Sequence, residues 1–206
     1  MPPPDRAQVY LVTPPDPDRD GFDARLASVL DAVPVACLRL RLASQDEDRI
    51  IRSADRLRDL VHARDIPLVI DSHVGLVERL GLDGVHLTDG ARSVRKVRKT
   101  LGDDAIVGAH CGASRHDGIT AGESGADYVA FGPAGTTALG TGERATRDLF
   151  AWWSEMIEIP VVAEGALDAA VIAELDSVTD FFAFGDEIWQ TEDPAATLRR
   201  LVSELG

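Results

Sequence analysis

The chain is poor in several features that mark large protein classes. It has only two cysteines, Cys37 and Cys111, in 206 residues. Two thiols do not make a disulfide framework, which fits a reducing compartment, and a cytoplasmic location is expected. No run of about 18 apolar residues occurs, so no segment reads as a membrane span and no membrane partner is expected. Basic residues are the minority: 21 Lys and Arg stand against 35 Asp and Glu, a net charge of -14. A nucleic acid backbone needs a basic face, so nucleic acid is not an expected partner. The acidity reads as a solubility feature. The opening Met1-Pro-Pro-Pro-Asp5 has no basic region followed by an apolar core, so it does not read as a secretion signal. Residues 1–7 are expected to form a loose tail, the rest of 1–206 a single domain.

What the sequence does have is alternation. Short runs rich in Val, Ile and Phe fall at 8–13, 35–40, 67–70, 84–87, 105–109, 128–131, 160–163 and 181–184. Helical patterns follow near 22–32, 45–64, 74–80, 92–101, 115–124, 145–157, 168–175 and 193–204. In the second of these, Ile50, Ala54, Leu57 and Val61 line one stripe. Strand–helix alternation argues for a parallel sheet, and eight such units close naturally into a (β/α)8 TIM barrel. An open, doubly wound eight-stranded sheet is the alternative. Three helix-to-strand turns carry an aspartate, Asp83, Asp127 and Asp180. They lie on the face opposite a barrel's active site and are expected to cap their own turns. The segment Asp16–Asp20 reads as a polar, mobile first loop.

Side chains alternate along a strand, so parity assigns faces. On strand two, Leu38, Leu40 and Leu42 suit packing against helices. Cys37, Arg39 and Arg41 then point to the barrel axis and its mouth. Two cations there need partners, either fixed acids or a bound anion. Polar groups gather at the ends of successive strands: Asp71 and Ser72 after strand three, His86 and Asp89 around the end of strand four, His110 and Cys111 after strand five. Thr136 and Thr137 follow strand six, Glu164 and Gly165 strand seven, and Gly185, Asp186 and Glu187 strand eight. This is the rim where barrel enzymes place their ligands. His62 and His116 read as helix residues and are set aside. Asp71, His86, Asp89 and His110 match no zinc spacing. Cys111 beside His110 reads as a free thiol, not a nucleophile.

The order of motifs resembles the thiamine phosphate synthase and thiazole tautomerase family. Tyr10-Leu-Val-Thr13 opens strand one. Leu38-Arg39-Leu40-Arg41 is similar to the family's Gln-Leu-Arg-x-Lys stretch. Asp83-Gly-Val-His-Leu87 matches its Asp-Gly-Val-His-Leu run. Gly125-Ala-Asp-Tyr128 followed by Gly132-Pro133 matches Gly-Ala-Asp-Tyr-x-x-x-Gly-Pro, and Pro160-Val-Val-Ala163 matches the strand leading to a Gly-Gly turn. The resemblance spans nearly the whole chain.

It implies a (β/α)8 barrel and a Mg²⁺-assisted transfer. A pyrimidine methyl pyrophosphate is joined to a thiazole phosphate, and pyrophosphate leaves a carbocation-like centre. Catalytic roles fall on Arg39, Arg41 and His110. Substrate contacts fall on Asp71, His86, Thr136, Thr137, Gly165 and Gly185. The metal falls to Asp71 and Asp89, and the partner is a small phosphate or pyrophosphate ligand. A homo-oligomer is compatible with this reading. The chain departs from the family's pattern at several positions. Asn-Asp becomes Asp71-Ser72, and the second metal Asp aligns near Gly90 or Ala91. The lysine after strand six aligns near Gly140. The Gly-Gly turn becomes Glu164-Gly165-Ala166, and the strand-eight turn carries Asp186 and Glu187. Weak affinity for Mg²⁺ alone is therefore expected. Three readings follow: an active synthase with Asp71 and Asp89 as shifted ligands, a diverged binder of a related anionic or heterocyclic ligand, and an empty scaffold.

Overall fold

Among the described residues of the computed structural model (7–19, 21–137, 143–203 and 205), eight parallel strands close into a barrel in chain order. The elements are β1 Gln8–Val12, α1 Phe22–Ala32, β2 Cys37–Leu40, α2 Glu47–His62, β3 Leu68–Asp71, α3 Val74–Leu80, β4 Gly84–Leu87 and α4 Val94–Leu101. They continue with β5 Ile106–His110, α5 Arg115–Glu123, β6 Tyr128–Phe131, α6 Arg147–Met156, β7 Val161–Glu164, α7 Ala169–Leu175, β8 Phe181–Phe184, α8 Asp186–Trp189 and α9 Pro194–Val202. Register is continuous around the ring, from Tyr10 opposite Cys37 to Tyr10 opposite Ala183. The closed ring excludes the open-sheet alternative.

Parity along the strands separates two apolar shells. Leu11, Leu38, Leu40, Val85 and Phe182 face outwards and pack on the helices. Tyr10, Val12, Cys37, Val69, Tyr128, Ala130, Val162 and Ala183 face inwards and fill the lumen. Several helices start on polar side-chain caps. Asp46 accepts the Arg49 amide, Asp168 that of Val171 and Asp193 that of Ala196. Each satisfies an amide that the first helical turn leaves unpaired.

The three bottom-face aspartates do something other than cap their own turns. Asp83 accepts the Leu68 amide at 2.7 Å, Asp127 that of Val107 at 2.7 Å and Asp180 that of Val161 at 2.8 Å. Each ties the start of one strand to the start of its neighbour. The partner lies 15 to 20 residues back in sequence. It is close in space because a βαβ unit returns the chain beside its own origin.

The first loop is also held. Asp18 accepts from Arg49 Nε at 2.7 Å and from Ser53 Oγ at 2.5 Å, and Asp16 pairs with Arg49. The expectation of a mobile loop is corrected to that extent; Asp20 lies outside the described residues. Ala7, assigned to the tail, is buried against the core. Residues 1–6 of that tail lie outside the described part.

Candidate functional site at the barrel mouth

The floor of the site is a hydrogen-bonded phenol pair. Tyr10 and Tyr128 meet oxygen to oxygen at 2.8 Å, and His86 Nδ1 lies 2.8 Å from the Tyr128 hydroxyl. The Tyr128 ring fits because residue 108 is glycine: a Cβ there would stand 2.0 Å from the ring. His86 is 1% exposed. Burial, and then the nearby Arg39, hold it well below the usual imidazole value, so it is neutral. Its Nε2 has no partner. The structure places this expected substrate contact inside the barrel, lining neither of the mouth cavities described below.

Above the floor lies a charged layer. Arg39 is 7% exposed. Its Nε donates to Asp71 Oδ1 at 2.5 Å, its Nη2 to Asp71 Oδ2 at 3.3 Å and its Nη1 to Glu164 Oε2 at 2.8 Å. Glu164 reaches His110 with its other oxygen, Oε1, 2.6 Å from Nδ1, although the ring N–H does not aim along the contact. Burial alone would raise Glu164, but Arg39 and then His110 outweigh it and hold the carboxyl below its ordinary range. Arg39 therefore points to the mouth as parity required, but its charge is spent on two carboxylates. It is not the free cation of an anion site.

Arg41 follows the end of β2. The Thr13 hydroxyl donates to its carbonyl and accepts its amide, both at 3.0 Å, which fixes the backbone there. The guanidinium is partly exposed and donates from Nη2 to Asp186 at 3.1 Å.

Two of the cavities at this end of the barrel adjoin the charged layer. One, of about 630 Å³, lies over β4 and β5 and includes Asp89, Arg92, His110, His116 and Asp117. The other, of about 440 Å³, lies over β7 and β8 and includes Arg39, Arg41, Glu164, Gly165, Gly185 and Glu187. Among the described residues, His110 alone lines both. His116, set aside in the sequence, sits on the first cavity's wall. Thr136 and Thr137 are exposed on the β6 loop and line neither cavity. Gly140 lies outside the described residues.

The metal assignment fares differently from the rest. Both Asp71 oxygens are bound to Arg39, and Asp89 accepts the Ser93 hydroxyl at 2.6 Å. Among the described residues, no group of three or more His, Cys, Asp or Glu is placed to hold a metal ion. The pair expected to act together is thus not a preformed site. Cys111 is buried, and burial followed by Asp117 pushes its thiol up to about 12, so no thiolate stands beside His110.

The β7 and β8 turns hold a rim residue, Glu187, whose direction the sequence did not assign. Gly165 and Ala166 both adopt positive φ, +86° and +54°. The chain beyond them turns the Leu167 amide towards the mouth, where it donates to Glu187 Oε1 at 3.2 Å. The Gly185 amide donates to Glu187 Oε2 at 2.8 Å. Strand parity does not extend past Phe184 into α8, so no periodic signal showed which way Glu187 points. Glu164 was findable: Val162 and Glu164 share the inward parity of β7.

Comparison with known proteins agrees with this architecture. The family model for thiamine monophosphate synthase matches residues 9–183. A thiamine-phosphate synthase of Rhodospirillum centenum is 40% identical over 196 residues, covering 93% of this chain and 94% of the relative. Its counterpart in Erythrobacter litoralis is 37% identical, covering 92% and 91%. Among solved structures, a thiamine phosphate pyrophosphorylase from Pyrococcus furiosus superposes with a TM-score of 0.81 at 21% identity, covering 96% of both chains. A 3-hexulose-6-phosphate synthase superposes at 0.68 with 13% identity, covering 97% of this chain and 100% of that one, which reflects the fold alone.

Proposed function

Because the chain belongs to the thiamine monophosphate synthase family and acts in thiamine biosynthesis, we propose that its mouth joins a pyrimidine methyl pyrophosphate to a thiazole and releases pyrophosphate. The thiazole nitrogen gives its lone pair to the methylene carbon. The carbon–oxygen bond breaks, and its electron pair leaves with the pyrophosphate. The product is a thiazolium cation, and no proton need move.

The observation that carries this reading is the position of His110 between two cavities. A transfer between two bound molecules needs adjoining compartments and a shared wall at the point of contact. Glu164 holds His110 on that wall, and Arg39 holds Glu164. We assign the departing pyrophosphate to Arg41, the mouth arginine whose acid partner is itself half exposed and exchangeable with a ligand. Arg39 becomes a positioning residue, and Asp71 its counter-ion. His86, Tyr10 and Tyr128 close the compartment from below. They keep water away from a cationic centre.

Mg²⁺, when bound, would neutralise the charge that collects on the pyrophosphate. Asp89 is the carboxylate we assign to it. With Asp71 engaged, such an ion would be held mainly by the pyrophosphate oxygens, as Mg²⁺ commonly is. The test is a reaction of the purified chain with the pyrimidine pyrophosphate, Mg²⁺ and either the thiazole phosphate or the thiazole alcohol. Joined product and stoichiometric pyrophosphate are expected, with kcat reduced by about 10²-fold or more in Arg41→Ala. No product from either acceptor, under conditions where a relative from the family turns over, would remove this reading.

A further inference from the structure

In barrels of this kind, the loops after strands seven and eight commonly supply backbone N–H groups to a phosphate. Here those groups already hold an anion. Glu187 lies against the two turns and takes the Leu167 amide on one oxygen and the Gly185 amide on the other. A carboxylate spread over two converging amides offers them what two phosphate oxygens would offer. The charge of the compartment points the same way. Of the side chains lining this cavity, Arg39 and Arg41 face three carboxylates, Glu164, Asp186 and Glu187. Arg39 is spent on Glu164 and Asp71, and Arg41 pairs with Asp186. A phosphate dianion arriving at the two turns would meet a carboxylate in its place, and Arg41 beside it already faces Asp186.

We propose that Glu187 is a specificity-determining residue: it fills the phosphate position of the β7–β8 turns from within. The compartment then takes an acceptor heterocycle that ends in a neutral hydroxyl in preference to one that ends in a phosphate. The hydroxyl donates a hydrogen bond to a carboxylate oxygen and so turns Glu187 from a repelling group into a partner. The proposal rests on the transfer reading for the identity of the acceptor, but not for the occupancy of the turns.

The experiment separates the two. Dissociation constants for the thiazole phosphate and the thiazole alcohol are measured by calorimetry on the full chain, without the second reactant. They are compared among wild type, Glu187→Ala and Glu187→Gln. Gln keeps an acceptor for one amide, which guards against loss of the turns in Ala, and thermal melts report that both variants fold. Wild type is expected to bind the alcohol more tightly than the phosphate. In the variants, phosphate binding should strengthen by about tenfold or more, a change of about 1.4 kcal/mol, while alcohol binding should weaken because its hydroxyl loses the carboxylate it donates to. In turnover, the preference in kcat/KM should move towards the phosphate by a similar factor. Tighter binding of the phosphate by wild type, or unchanged phosphate affinity in both variants, overturns the proposal. Absence of product with either acceptor would instead remove the transfer reading, and the binding ratios would still decide the role of Glu187.

Discussion

Arg39 meets Glu164 across the lumen, Nη1 to Oε2 at 2.8 Å, although β2 and β7 are not neighbours in the sheet. The pair bridges two strands that share no backbone hydrogen bonds. Removing one partner of a buried charge pair leaves the other without compensation. Arg39→Met should therefore destabilise the fold by about 3–5 kcal/mol. Glu164→Gln added to it should restore part of the loss, because the stranded carboxylate is then gone. Urea unfolding of the three variants and wild type at neutral pH checks this, and a purely additive double variant would show that the two side chains are not coupled.

His86 sets a pH dependence. Its folded value lies below the unfolded value of about 6.5. Below that pH the unfolded chain takes up a proton that the folded chain refuses. Stability is therefore full above about pH 6.5 and falls as the pH drops, by up to about 1.4 kcal/mol per unit for one site. Glu164 adds its own loss only at lower pH, below about 4.3, where the unfolded carboxyl protonates first. Unfolding free energies measured from pH 7.5 to 5.5 should show the His86 slope, and His86→Asn should flatten it. A wild-type curve already flat in that window would mean that the imidazole takes its proton in place.

The two thiols should be inert in the native state. Cys37 and Cys111 are both buried, and burial pushes each up to about 12. A disulfide reagent at pH 8 should label them slowly in buffer and rapidly in denaturant, since only the thiolate attacks. Rapid native labelling of Cys111 alone would show that the wall of the first cavity opens.

Asp180→Ala should cost about 1–3 kcal/mol, the loss expected when a buried amide, here that of Val161, is left without its acceptor. Asp180→Asn keeps an acceptor oxygen and should cost less. Equal losses in the two variants would place the effect elsewhere in the turn.

The barrel was legible in the sequence because its period is local. Each strand is four or five residues long and alternates between two faces, and the expected runs 84–87, 128–131 and 181–184 coincide with β4, β6 and β8. Parity also placed Arg39 correctly on the inner face. What parity lacks is any account of who shares that face from distant strands. Asp71, Glu164 and Arg39 meet only once the ring closes, so a row of rim residues looked like separate ligand groups when several are partners of one another. The same gap turned Asp83, Asp127 and Asp180 into local caps. The helix α8 is four residues long, too short for a helical period to emerge, and the direction of Glu187 was hidden with it.

The bond between Tyr10 and Tyr128 joins the first strand to the sixth across the inside of the ring. With Val69, Val162 and Phe181 packed around it, the lumen is plugged beneath the mouth. On the proposed transfer, both reactants therefore enter from the mouth side, and the joined heterocycle leaves on that side too. Product inhibition against both reactants is the expected consequence, and initial rates measured with added product would show it.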